Sequence, residues 1–141
     1  MLTREQQYAA RVFQQVTEFE RQAEKKTEKK TKYGSMAHKL PVLIRVAGLA
    51  QALHFVESRG DDNQRLLLKH LALTLDFIDG EGEKGLTAKE QLLESSRTSS
   101  LPTYMRLTHQ ALSALQWYKR FAQSVLKVEA GQDDASSSNG R

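Results

Sequence analysis

The sequence contains no cysteine, which removes disulfides and thiol nucleophiles from consideration and is compatible with a reducing interior. It has only 2 prolines and 8 glycines in 141 residues, clustered between periodic segments, and so few breakers favour long helices over many short strands. No apolar run is long enough to span a bilayer; the most apolar stretch, 40–53, is interrupted by Arg45. The start, Met1 to Gln7, is polar and lacks the apolar centre of a signal peptide. These absences lead us to expect a cytoplasmic protein with no membrane partner. The length sets a prior of one domain able to bury roughly 65–70% of the surface its unfolded form exposes, so no disulfide or metal staple is needed.

Charge is present but unevenly spread. The net charge is +4, yet the window from Arg21 to Arg45 holds 8 Lys/Arg and 2 acidic residues, leaving the remainder net acidic. Such asymmetry suggests a surface facing a polyanion, although any single charge run is more commonly a solvated face.

Helical periodicity dominates what remains. Thr3 and Gln6 form a capping-box pattern, and Tyr8, Ala9, Val12, Phe13, Val16, Phe19 and Ala23 then recur on one stripe. The stripe fades after Ala23, so the charged run 24–30 is expected to continue the helix weakly or fray. Lys32 to Ser35 reads as a connection. A second helix is expected from about Ala37 to Ser58, apolar around much of its circumference, including Val42 and Val46, with Pro41 in its first turn and Gly60 as its C-terminal cap. Asp61 and Asp62 cap a third helix bearing Leu66, Leu67, His70, Leu71, Thr74, Phe77 and Ile78. Thr87 and Glu90 form a second capping box for a short fourth helix ending near Ser95. A linker, 96–100, leads to a last helix from about Pro102 to Ala130. The expectation is therefore an all-α, single-domain bundle of about five helices over 1–130, with a disordered Ser/Asp/Gly tail at 131–141.

Catalytic chemistry is hard to place. His38, His54, His70 and His109 form no HxxxH pair, and no Glu-x-x-His occurs. His70 lies on an apolar face and reads as a core histidine. Nucleophile elbows and Gly-rich phosphate loops are absent. Asp79, Glu81, Glu83 and Glu90 fit positions 1, 3, 5 and 12 of a calcium loop, but Lys84 stands where position 6 requires glycine, and Glu90 is better explained by the capping box. We expect no catalytic residues, no metal and no cofactor.

On the last helix, Arg106, Gln110, Ser113, Trp117, Arg120, Ser124 and Lys127 follow steps of three and four and share a polar stripe. Trp117 beside Arg120 can be a subunit-interface anchor, a secondary core contact or a platform for a nucleotide base, in that order of preference.

Three segments together resemble a known family. They are Lys32-Tyr33-Gly34 with Lys39-Leu40-Pro41-Val42-Leu43-Ile44, then Gly48 to Phe55, and the late block Tyr104-Met105-Arg106-Leu107-Thr108 with Trp117 to Ala122. In order and spacing they are similar to the small helical subunit of the CRISPR type III-B (Cmr) RNA-guided effector complex, over roughly residues 2–128. Relatives often carry a polar residue where this chain has Val46-Ala47. The resemblance implies a non-catalytic subunit in antiviral defence, stacked beside backbone, large and neighbouring small subunits and helping to form the channel for guide RNA and target RNA. Lys39, Arg45, Lys119 and Arg120 are then the expected contacts to RNA phosphates, with Lys29, Lys30 and Lys32 behind them, and the isolated chain is expected to be monomeric. A stand-alone helical DNA-binding regulator and a scaffold without RNA contact are the alternatives; Asp61-Asp62 would repel phosphate at the turn the former needs.

Overall fold

The computed structural model describes residues 1–79 and 85–131, with backbone alone at 77–79. Among the described residues there are six helices and no strand: α1 Arg4–Ala23, α2 Thr27–Ala47, α3 Leu49–Arg59, α4 Asp62–Asp79, α5 Ala88–Thr98 and α6 Leu101–Ser124. The all-α expectation stands, with one helix more than expected. Residues 80–84 of the acidic segment set aside as a calcium loop, and the tail beyond Gly131, lie outside the described residues.

Both capping boxes form as read, Thr3 with Gln6 and Thr87 with Glu90. A third appears at α4, where Asp61 accepts from the Gln64 N–H and the Gln64 side chain accepts from the Asp61 N–H. Tyr8, Val12, Val16, Phe19 and Ala23 of α1 are buried, whereas Phe13 is half exposed and meets the edge of Phe121 at 5.2 Å.

The second helix departs most from expectation. The helix α1 stops at Ala23, Glu24 adopts a positive φ of 52°, and α2 begins at Thr27. The segment expected as a connection, Lys32 to Ser35, lies inside α2, and Tyr33, Gly34 and Ser35 are buried. Tyr33 stacks on Phe19 with centroids 4.3 Å apart. Polar and glycine content there reflects close packing, not a turn. Pro41 accordingly falls in the interior of α2, where it supplies no N–H to Ala37; burial against α6 carries the helix through. The real break is Gly48, whose φ of 93° suits glycine; a Cβ built there would lie only 3.3 Å from the Tyr104 hydroxyl. That hydroxyl accepts from the Ala50 N–H at 3.2 Å, so the break is pinned from α6.

Later in the chain, α5 runs on to Thr98 and Ser96 is buried, which shortens the expected linker. The last helix ends sooner than expected because Leu126 and Val128 turn back into the core, with Lys127 at φ 61°. The Val128 carbonyl meets His38 Nε2 at 2.9 Å. Helices α2 and α6 make the most extensive contact in the bundle, and α1 and α4 pack against both.

A Cβ built on Gly34 would lie 2.7 Å from the Val128 Cβ, too close for any unshifted side chain. Gly34→Ala should therefore lower the unfolding free energy by about 1–3 kcal/mol, although the same change in an exposed helix interior adds about 1 kcal/mol. Urea unfolding measures this, and adding Val128→Gly should make the pair less than additive.

Candidate nucleic-acid and subunit interface

A buried polar layer crosses the core between α1, α2, α4 and α6. The Tyr118 hydroxyl donates to Gln15 Oε1 and lies 2.9 Å from the Thr74 hydroxyl. Gln15 Nε2 donates to the His70 carbonyl at 3.1 Å, and the Tyr33 hydroxyl is 2.7 Å from His70 Nδ1. Burial, more than any neighbour, raises the pKa of Tyr33 and Tyr118. It also lowers His70 to about 4, aided by Lys69 and Arg11. His70 is thus neutral near pH 7 and shares, through Nδ1, a hydrogen bond with a phenol that is also neutral. The layer holds neutral partners together and offers no poised acid, base or nucleophile. His70 is the core histidine its apolar face suggests. Among the described residues, no cluster of His, Asp or Glu is arranged to hold a metal.

The expected phosphate contacts sit on α2 and α6. Lys29, Arg45, Lys119 and Arg120 are exposed, and Lys30, Lys32 and Lys39 are partly buried. Lys30 reaches Glu20 of α1 at 3.9 Å, a surface pair of little energetic weight. At about 100° per residue, Lys32 and Lys39 share a side of α2, while Arg45 is turned some 120° from Lys39. On α6, Lys119 and Arg120 point about 100° apart. The cations thus spread around the paired helices instead of forming one line.

Two features were missed from sequence. Val42 and Val46, expected to be buried, are 54% and 81% exposed. With Leu101 and Met105 at 69% and 62% they form apolar i, i+4 pairs on the two helices that the Tyr104–Gly48 contact joins. Large exposed apolar patches mark surfaces that meet protein, and each pair adds apolar area to its own helix. The second feature is a cleft of about 720 Å³ between the start of α1 and α6, walled by Arg4, His109, Gln110, Trp117 and Arg120. It meets a second cleft of about 650 Å³ between α4, α5 and α6 at Arg4 and Gln110. Trp117 is half-buried in the first cleft and stacks on Phe121. The three- and four-residue spacing on α6 hinted at this wall, but nothing local announces that Arg4 closes it.

Comparison with known proteins accounts for the whole bundle. Residues 4–125 match the family described as CRISPR-associated protein (Cas_Cmr5). The chain is 39% identical to the CRISPR system Cmr subunit Cmr5 of Thermus thermophilus over 127 residues, 90% of this chain and 99% of that protein. It also resembles the crystal structure of a CRISPR-associated Cmr5 family protein from Thermus thermophilus, with a TM-score of 0.72 and 40% identity, covering 89% of this chain and 98% of the other.

The buried histidine yields a pH signature. An unfolded histidine titrates near 6.5 and His70 in the fold only near 4, so between those values the unfolded chain binds the extra proton. Its contribution is constant above about pH 6.5, falls as pH drops, and by pH 5 has cost about 2 kcal/mol. His70→Asn, which does not titrate, should flatten that part of the curve of urea midpoint against pH relative to wild type.

Proposed function

The chain belongs to the Cas_Cmr5 family of CRISPR-associated proteins, small subunits of the Cmr complex, and we propose that it is a non-catalytic subunit helping to form the channel in which guide and target RNA pair. The observation that carries this reading is the make-up of α2. That helix holds five Lys/Arg and one acidic residue and packs broadly against α6, which adds Lys119 and Arg120. A guide–target duplex is a polyanion held by its backbone, so a subunit lining its path needs cations and no base-reading or catalytic groups. The neutral buried layer supports the non-catalytic role. The complex acts in the cytoplasm, in antiviral defence.

The apolar patch Val42, Val46, Leu101 and Met105 is the face we assign to neighbouring Cmr subunits. Four side chains fall well short of the roughly 800 Å² per partner of a standard interface, so the isolated chain is monomeric and the patch is covered only in the assembly.

Two measurements on the assembled complex test these roles. Replacing Lys39, Arg45, Lys119 and Arg120 by Ala should weaken target RNA binding equally for unrelated guides, since phosphate contacts carry no sequence information. Each phosphate interaction removed should lower the slope of log affinity against log salt by roughly 0.7–0.9. An unchanged slope with normal assembly would leave a scaffold without RNA contact. Val46→Ser with Met105→Ser should reduce incorporation of the subunit, shift its own stability by no more than about 0.5 kcal/mol, and leave that slope alone.

A further inference from the structure

The cleft between α1 and α6 is a recess, not a projection. An interface anchor stands out and fills a pocket on its partner; Trp117 instead forms part of a wall. Phe121 stacks against the indole, with centroids 5.7 Å apart and planes inclined by 29°, and the ring also lines the open space. At about 720 Å³ the recess falls within the range of small-ligand sites, roughly 300–1,000 Å³. It presents an aromatic surface, the guanidinium group of Arg120 and the side-chain amides of Gln110 and Gln116, with Arg4 and Glu5 at the α1 side. Arg120 has no hydrogen-bond or ion-pair partner among the described residues.

An aromatic wall, a cation and amides in one recess suit a planar heterocycle joined to an anion. We infer that this cleft binds one nucleotide unit of an RNA strand: an unpaired base stacks on Trp117, Arg120 holds its phosphate, and Gln110 and Gln116 meet the polar edge of the base. The base must be unpaired, because in a duplex both its faces are already covered. The inference rests on the RNA-channel reading and deepens it, since the cations of α2 hold phosphate alone whereas this recess holds a base, with the tolerance for sequence that stacking allows.

Trp117 is the only tryptophan of the chain, so its fluorescence reports on this cleft alone. In the full-length protein a short single-stranded oligoribonucleotide should quench that emission saturably, and its duplex should not. Trp117→Leu should weaken binding of the same oligonucleotide, carrying a dye, roughly 5- to 160-fold, the range for losing one base stack, and Trp117→Phe should recover most of it. Arg120→Ala, a surface change that leaves the fold intact, should lower the salt slope for the single strand by about 0.7. Binding of the labelled strand without quenching would overturn the inference and leave the RNA-channel reading in place. No binding of either strand form would overturn the inference as well, while the RNA-channel reading is decided by the salt titration of the assembled complex. Equal quenching by a free mononucleotide at the same concentration would assign the cleft to a soluble nucleotide and overturn the strand assignment. Emission that varies with protein concentration in the absence of RNA would make Trp117 a contact between copies, and would likewise overturn it.

Discussion

The close approach of α2 to α6 governs the rest of the bundle. It is fixed at both ends by what glycine lacks: at Gly34 the missing side chain admits Val128, and at Gly48 it admits the Tyr104 hydroxyl. His38 adds a bond to the Val128 carbonyl between them. With the two longest helices locked in this way, α1 and α4 each pack against both. The cations and the exposed apolar pairs are carried around the sides of these two helices. Their relative positions therefore follow from a backbone contact, not from anything the charged residues do among themselves.

Inside that frame the polar layer sets register more than strength. Gln15, Thr74 and Tyr118 come from three helices and satisfy one another only in a single alignment, and Tyr33 with His70 does the same for α2 and α4. A slide of one turn along any helix would leave a buried phenol or amide without a partner, at a cost of about 1–3 kcal/mol for each. Leucines and alanines alone would tolerate such a slide far better.

Much of this was legible in the sequence, because helix starts are local. Thr3 with Gln6 and Thr87 with Glu90 announce themselves over four residues, and the stripe from Tyr8 to Ala23 names the buried face of α1. The course of α2 was not legible. Tyr33-Gly34-Ser35 has the composition of a turn, and only the return of Val128 from some ninety residues away explains why it is helical and buried. Pro41 misled for the same reason, since a residue that usually opens a helix is here carried inside one by tertiary packing. Val42 and Val46 looked like core because their hydrophobicity is visible and the absence of a covering helix is not. The phosphate-facing residues were nameable by type, whereas the wall opposite Trp117 depends on Arg4, placed there by the fold.

The return of Val128 also bears on how the chain folds as it is made. The helix that closes the core is the last of the six to be synthesised, and the residue that fills the space over Gly34 follows it. Until that segment is available, the space over Gly34 is unfilled and α2 lacks its most extensive helix contact, and α1, α2 and α4 hold only an incomplete arrangement of the kind that chaperones protect. Folding is thus completed only once residue 128 has been made and not helix by helix, so a nascent chain halted before that residue would present an open core to its surroundings.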